Sequence, residues 1–582
     1  MTYEYRKLDT AKREIRLISL RPATSFEIQC DITHQSLDTA TYHTLSYEWA
    51  QPEQGHTILL DNLKKDVRPN LFNALRRLRD KVPGELLWID ALCIDQGNDS
   101  ERSSQVNMMG DIYECSKKTF VWLGEEAEDS SLAMKLLSSI TANVQNSANA
   151  EAEILARLEV IGEDRSVQRE KSWIALRKLF ERPYWKRVWI IQEIFLSHPT
   201  TLLCGNEICK WDDICSLITL VTTQGVRLHT HEGRIAVVDR LLPPRLLVEI
   251  FHRRRQDKAN FLDYLLLSRQ RSTSDARDHV YGVLGLTRPR IVDSDYEKTV
   301  ENVYREVVEN MIVGDGNLDI LSACCEVKTN AERLHKPLQG LGGSPKSGMD
   351  PRSESNPTLP SWIPDWRVPF KTDYDEYQVF PLCNNPYFAG GTGRPEIKYT
   401  RGSDTVTIRG IFLDSIAVVS TDLKTTRWQQ VSDDWATWSR YDYLFTPYGD
   451  LEEQREAFRE TFYLGLHNKD NPHKDDGGRE FFDIAVRRRG DGVTKEQLGP
   501  RTFGRAGRQF FGTANGYMGR GPHGMQVGDL VVVLLGAKVP FVLRKAGETG
   551  RLLLVGECYV HGIMRGELVQ ESTREQEDFC LI

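Results

Sequence analysis

The stretch from Leu86 to Gly124, LLWIDALCIDQGNDSERSSQVNMMGDIYECSKKTFVWLG, constrains this chain more than any other. It opens on an apolar run, Leu86 to Ile94, interrupted by one acid, Asp90. A polar turn follows over Asp95 to Ser100, carrying Gly97, Asn98 and Asp99. Val106, Met109, Ile112 and Tyr113 then recur at the three- and four-residue steps of a helix that buries one face. A second apolar run, Thr119 to Leu123, closes the stretch. Strand, loop, helix and strand in that order make the unit from which parallel sheets are built. A carboxylate inside a greasy strand is costly unless paired or used, so Asp90 needs a reason.

The flanks extend the same pattern. EIRLISL and FEIQCDI read as two short strands separated by Arg21-Pro22, and YHTLSYEW (Tyr42 to Trp49) and TILLDN as two more. After Pro69, Leu71, Leu75 and Leu78 keep helical spacing, with Asn70 placed to cap. The resulting expectation is an α/β domain over residues 1–210, a largely parallel sheet flanked by helices. From Ser130 to Lys178 the pattern is helical; after Pro183, YWKRVWIIQEIFLS is a further helix candidate, and TTLLCGN a strand. Residues 211–335 read as mostly helical. Residues 336–360, rich in Gly, Pro and Ser, read as a linker or long loop. Residues 361–582 read as a β-rich domain, a partial barrel, with a helical insert near Leu451 to Leu466.

Bulk properties narrow the function classes. A chain of 582 residues exceeds one ordinary core. A net charge of −8 argues against a protein built on phosphate-backbone attraction, and the two Arg triplets, 253–255 and 487–489, read as solvated faces. Eleven cysteines, odd in number and never C-x-x-C, argue for a reducing compartment and against a zinc ribbon. No secretory leader and no membrane span is legible, so a cytoplasmic location is expected. The Gly-rich stretches GLGGSPKSG and GYMGRGPHG lack the Gly-Lys-Ser/Thr ending of a phosphate loop and do not lead from a strand into a helix.

Five ordered motifs then carry a specific resemblance: LSYEW at 45–49, LWIDALCIDQ at 87–96, ER-x-x-Q-V-x-x-M-x-x-IY at 101–113, VWLG at 121–124 and RPYWKRVWIIQE at 182–193. Together they resemble the heterokaryon-incompatibility (HET) domain family of filamentous fungi. DARDHVYGVLGL at 275–286 and LPSWIPDW at 359–366 are similar to segments that often follow the domain. The sequence departs from the family pattern at Ala50, Asp95 and Tyr184-Trp185. The resemblance implies non-self recognition leading to a cell-death reaction, with self-association or another incompatibility protein as partner. The domain is also distantly similar to TIR domains. The Trp189 and Glu193 spacing looks like the box whose Glu is the essential acid where TIR domains cleave NAD. Ile190 stands where that box has Cys.

Cleaving the nicotinamide–ribose bond makes a modest demand. The leaving group already carries positive charge and needs no proton; an oxocarbenium-like ribose develops, and one carboxylate can stabilise it. The resemblance puts that role on Glu193, with NAD as substrate rather than cofactor and no metal. Ser46, Tyr47, Asp90, Trp189 and Arg102 are the candidates for holding NAD. Trp189, one helical turn before Glu193, would wall the pocket, and Glu193 would face an open cleft at the sheet's rim. Each has a plainer reading. Glu193 could pair with Arg187 or Arg182 in a structural network, and Asp90 could accept amides of its own loop. Ser46 and Tyr47 could satisfy turn backbone; Glu101, Arg102 and Gln105 could cap a helix or form ion pairs. Trp88 and Trp122 read as core, and Asp278-His279 as a helix start. A signalling module without catalysis remains the alternative to the enzyme.

Overall fold

Burial on both sides marks the middle of a sheet, and the five-residue strand HTLSY is buried throughout. The computed structural model describes residues 3–22, 27–49, 55–144, 163–224, 227–230, 233–236, 242–324, 359–368, 382–420, 447–465, 508–548, 550–571 and 574–582. It divides into two compact units, Met1–Thr299 and Val300–Ile582.

The first unit contains strands β1 (Glu14–Leu20), β2 (Gln29–Ser36), β3 (His43–Tyr47), β4 (His56–Leu60), β5 (Leu63–Val67), β6 (Leu86–Trp88), β7 (Thr119–Trp122), β8 (Thr200–Cys204) and β9 (Glu207–Lys210). They form one sheet in the order β5-β4-β2-β1-β6-β3-β7-β8-β9. The sheet is mixed rather than largely parallel. β6, β3, β7 and β8 run parallel, as do β2 and β4, whereas β1–β2, β1–β6, β4–β5 and β8–β9 are antiparallel. The connections explain part of this, because two-residue turns join only antiparallel strands. Asp61 and Asn62 link β4 to β5 with φ of 49° and 64°. Gly205, with φ of 52°, and Asn206 link β8 to β9. The edge strand β5 carries Lys64 and Lys65, which discourages pairing with another chain.

Within the parallel block the chain runs from β3 to β6 on one side of β3, then to β7 on the other. Relabelled by chain order the block reads 2-1-3-4, the opening order of flavodoxin-like doubly wound sheets, with the reversal between β3 and β7. The two crossovers lie on opposite faces. Helix α1 (Pro69–Arg79) begins with proline at its first turn and buries Leu71, Ala74, Leu75 and Leu78. It lies on the Tyr47 and Trp122 face, where Asn70 accepts from the Trp122 indole at 2.9 Å. Asn70 is therefore not a cap: it lies inside the helix and its amide donates to the Glu48 carbonyl at 2.8 Å.

The apolar run after Leu86 is shorter as a strand than its composition suggests. β6 ends at Trp88, and Asp90–Cys93 form a single helical turn, α2. Asp90 is thus the first residue of a turn at the strand's carboxyl end, not a carboxylate inside the sheet. Helix α3 (Asp99–Glu114) follows on the face of Thr44 and Ser46, where Trp88 and Tyr113 meet edge to face at 5.7 Å. Asn98 caps α3 by accepting from the Glu101 amide at 3.1 Å. Asn98→Ala is expected to cost the first unit about 1 kcal/mol. A denaturation midpoint unchanged from wild type would refute that role.

Helices α4 (Ser130–Val144) and Glu163–Glu181 occupy the stretch read as helical; residues 145–162 between them lie outside the described residues. Helices Trp211–Gln224, Leu242–Arg255, Phe261–Arg269 and Asp278–Tyr281 continue the unit, with a small hairpin of β10 (Arg227–Thr230) and β11 (Gly233–Ala236) among them. This helical part is joined to the sheet layer by close packing. A methyl group built on Gly110 of α3 would fall 2.7 Å from the Gly285 Cα.

The second unit holds β12 (Ile397–Tyr399), β13 (Val406–Val419), β14 (Gln509–Thr513), β15 (Met518–Gly521), β16 (Leu530–Leu534), β17 (Phe541–Lys545), β18 (Leu552–Glu557), β19 (Tyr559–Val560) and β20 (Gln576–Leu581). The long β13 pairs with both β20 and β16, so the path β16-β17-β18-β20-β13 returns to its start. The ring is closed, which removes edges that a partial barrel would leave. Ile411, Leu413, Val531, Val533, Val542 and Val555 belong to its core. GYMGRGPHG spans the strand β15, which accounts for it without a phosphate. The expected insert is a helix, Leu451–Tyr463. The linker expected at 336–360 lies outside the described residues up to 358, as do Ala50, GLGGSPKSG and the second Arg triplet.

Every described cysteine is a free thiol. Among the described residues no helix is long and apolar enough to cross a membrane.

Candidate functional site

The carboxyl end of β3 gathers the first set of candidate residues. Ser46 points to the α3 face, where its hydroxyl donates to Glu193 Oε2 and shares a 2.9 Å hydrogen bond with the Tyr184 hydroxyl. Glu193 stands on the helix Ile190–Phe195, and Tyr184 on the short turn Pro183–Lys186. The segment YWKRVWIIQEIFLS is therefore broken. Arg187 is extended between the two elements and bridges to Ser272, which bends the chain before Glu193. The Arg187 guanidinium faces back onto Glu193, 3.5 Å from Oε2 and 3.4 Å from Oε1. The Glu193 side chain is only 1% exposed, against 16% for Arg187. Instead of facing the expected open cleft, the Glu193 carboxylate is buried in this conformation against Ser46 and Arg187. Arg182, the other suggested partner, donates instead to the Leu123 and Glu125 carbonyls at 2.7 and 3.0 Å.

Asp90 closes the set from the end of β6. Its Oδ1 accepts the Ala91 amide at 2.7 Å and its Oδ2 the Trp49 indole at 3.0 Å. Arg68 lies over the Trp49 ring, 5.4 Å from its centroid. Asp90 stays partly exposed, unlike Glu193. Burial of the carboxyl against its neighbours nevertheless pushes its pKa up to about 7; Arg187 pulls the other way, and the negative charge of Glu193 adds to the rise. Tyr47 is buried within electrostatic reach of Asp90, Arg187 and Glu193, and its phenol is pushed well up, chiefly by burial. Glu193 thus contacts both Ser46 and the Arg187 guanidinium, and Asp90 and Tyr47 lie within electrostatic reach of that guanidinium. These residues lie where the sheet's connections reverse, the place where open α/β sheets hold ligands.

Trp189 and Arg102 belong elsewhere. The Trp189 indole donates to Asp278 Oδ2 at 3.2 Å and does not wall Glu193, although four residues separate them. Trp189 stands at the N-cap position with helical backbone angles, and its ring turns toward the neighbouring helix start. Asp278 also accepts from Tyr296 at 2.8 Å and Thr273 at 3.0 Å. Burial pushes its carboxyl up to about 6 against those donors. Arg102 stacks on the Tyr296 ring at 3.9 Å and pairs with Asp99 at 3.1 Å. Glu101 pairs with the fully buried Arg16, and Gln105 donates weakly to the Glu14 carbonyl at 3.4 Å. Asp95 accepts the Gly97 amide at 3.2 Å, a local turn. Asp278 does start a helix, as its sequence suggests.

Three contributors escaped the sequence reading of the site: Trp49, Arg68 and Tyr184. Trp49 and Tyr184 do lie inside the motifs LSYEW and RPYW. Arg68 has no comparable signal.

Comparison with known proteins agrees with the motif reading. The family model "Heterokaryon incompatibility protein (HET)" matches residues 42–193, and "Het-6 beta-barrel domain" matches residues 483–582. The chain is 24% identical over 694 aligned residues to "Heterokaryon incompatibility protein 6, OR allele" of Neurospora crassa, with 100% of this chain and 98% of that protein covered. No solved structure matches the chain. The matched β3-to-Glu193 segment contains the Ser46, Asp90, Arg187 and Glu193 positions, the closed ring lies largely in the second match, and residues 42–193 thus match the heterokaryon-incompatibility (HET) family and residues 483–582 the Het-6 β-barrel domain.

Proposed function

We propose that the protein acts in fungal non-self recognition and regulated cell death by cleaving the nicotinamide–ribose bond of NAD in a TIR-like α/β domain. The observation that supports this reading is Glu193 held against Ser46 and Arg187 at the reversal between β3 and β7, with Asp90 at the end of the neighbouring β6. The 2-1-3-4 order of the parallel strands supports the TIR-like part. In the reaction the C1′–N bond breaks, its electron pair returns to the pyridinium ring, and Glu193 stabilises the ribosyl cation left behind. Glu193 is held by Ser46 and Arg187 at rest, so the cleaving state requires the carboxylate to be released. Self-association, or docking of another incompatibility protein, supplies that change. A resting latch suits an activity whose constant operation would kill the cell.

A non-catalytic assembly module is the second reading, and the burial of Glu193 at 1% exposure favours it. The two separate in one experiment, which measures nicotinamide release from NAD by the purified full chain, alone and after forced oligomerisation, beside Glu193→Gln. Release by the oligomerised wild type and not by the variant is expected. Silence of the wild type in both states, with the variant still toxic in cells, would leave the assembly module.

A further inference from the structure

Resting on the cleavage reading, we infer that Asp90 is a second catalytic residue: the general base that takes the proton from the water capturing the ribosyl cation. Two steps make the reaction, and they need different groups. Breaking the C1′–N bond needs a fixed negative charge and no proton transfer. Forming the C1′–O bond needs water to lose a proton, which a nearby carboxylate can accept. Nicotinamide leaves, water adds, and the released proton passes through Asp90 to solvent, so atoms and charge balance.

The geometry divides the two tasks. At rest Glu193 is enclosed by Ser46, Tyr184 and Arg187, and once released its charge is committed to the ribosyl cation, which leaves the proton of the incoming water to a second group. Asp90 stands at the end of the adjacent strand and, as a residue, is less buried than Glu193. Its orientation is set from two sides, by the Ala91 amide and the Trp49 indole. Ser46 and Trp49 lie three residues apart at one strand end, and each holds one of the two acids. Arg187 is within electrostatic reach of both acids.

The charged and titratable groups around Asp90 are Arg187, Glu193, Tyr47, Tyr113 and Cys93. Tyr47, Tyr113 and Cys93 are all pushed up by burial and stay neutral near pH 7. With the Asp90 carboxyl pushed up to about 7, it is protonated and unable to accept below that pH, and able above it. Water capture should therefore rise through about pH 7.

The test uses competition for the cation. A neutral pyridine base attacks without losing a proton, so it needs no general base. The full-length protein, oligomerised as above, is given NAD and 3-acetylpyridine; ADP-ribose and the exchanged dinucleotide are measured from pH 5.5 to 8.5. In wild type the ratio of hydrolysis to exchange is expected to climb through about pH 7. In Asp90→Asn the ratio should fall about tenfold or more at pH 8 and lose its pH dependence. A wild-type ratio flat with pH overturns the proposal with no variant needed. So does a ratio that Asp90→Asn leaves unchanged while nicotinamide is still released. Absence of nicotinamide release from wild type overturns the cleavage reading itself, a different result from a flat ratio.

Discussion

Glu193→Gln is expected to lower nicotinamide release by roughly a hundredfold to a thousandfold, the loss usual when one preorganised electrostatic contact to a transition state is removed. Glutamine keeps the shape of the side chain. Its carbonyl oxygen can still accept from the Ser46 hydroxyl, which sits against Oε2 in the native chain. What disappears is the negative charge. That charge already meets the pyridinium of bound NAD, and it meets more positive charge at C1′ as the bond stretches and the charge moves onto the ribose. The loss should therefore fall mainly on kcat, with a smaller rise in KM from the contact already made to the pyridinium. Arg187 would lose its closest partner, but its side chain is 16% exposed and can turn toward water or Asp90. The variant should consequently fold, with a thermal midpoint near that of wild type. Release within a few-fold of wild type, from a folded variant, would remove Glu193 from the mechanism.

The motifs located this cluster better than the periodicities did. LSYEW and RPYWKRVWIIQE, which lie far apart in the chain, meet as Ser46 against Glu193 and Tyr184. Periodicity failed where backbone breaks intervened. Nothing in YWKRVWIIQEIFLS announces that Arg187 is extended, yet that break turns Trp189 toward Asp278. Asp90 was legible as an oddity, but the point where its strand stops was not. An apolar run does not reveal where a strand ends, and β6 stops two residues before it. The parallel block was readable from strand–helix alternation, whereas the antiparallel edges depended on turns such as Asp61-Asn62 and Gly205-Asn206. Closure of the ring in the second unit required β13 to pair on both sides, and no local pattern encodes a strand's second neighbour.

Removing the cation instead of the acid should be the most destabilising single change at this cluster. Arg187→Ala leaves the Glu193 carboxylate at 1% exposure with Ser46 as its remaining close polar contact among the described residues. Breaking a buried pair by deleting one partner typically costs about 3–5 kcal/mol, because the surviving charge is neither solvated nor neutralised. For a unit of this size that is a fall in thermal midpoint on the order of ten degrees. The pair's own net contribution is a separate quantity, and it is small. Contacts of 3.4 and 3.5 Å are long for charge-assisted hydrogen bonds, and both ions have given up water to make them. Combining Arg187→Ala with Glu193→Gln removes both charges and should recover most of the loss. Calorimetry on wild type, the two single variants and the double variant closes the cycle. A double variant no more stable than Arg187→Ala alone would mean that the guanidinium acts through packing, not through the acid. Recovery would identify the pair as a latch held shut mainly by the cost of separating it, which a ligand or partner offering Arg187 another anion could open.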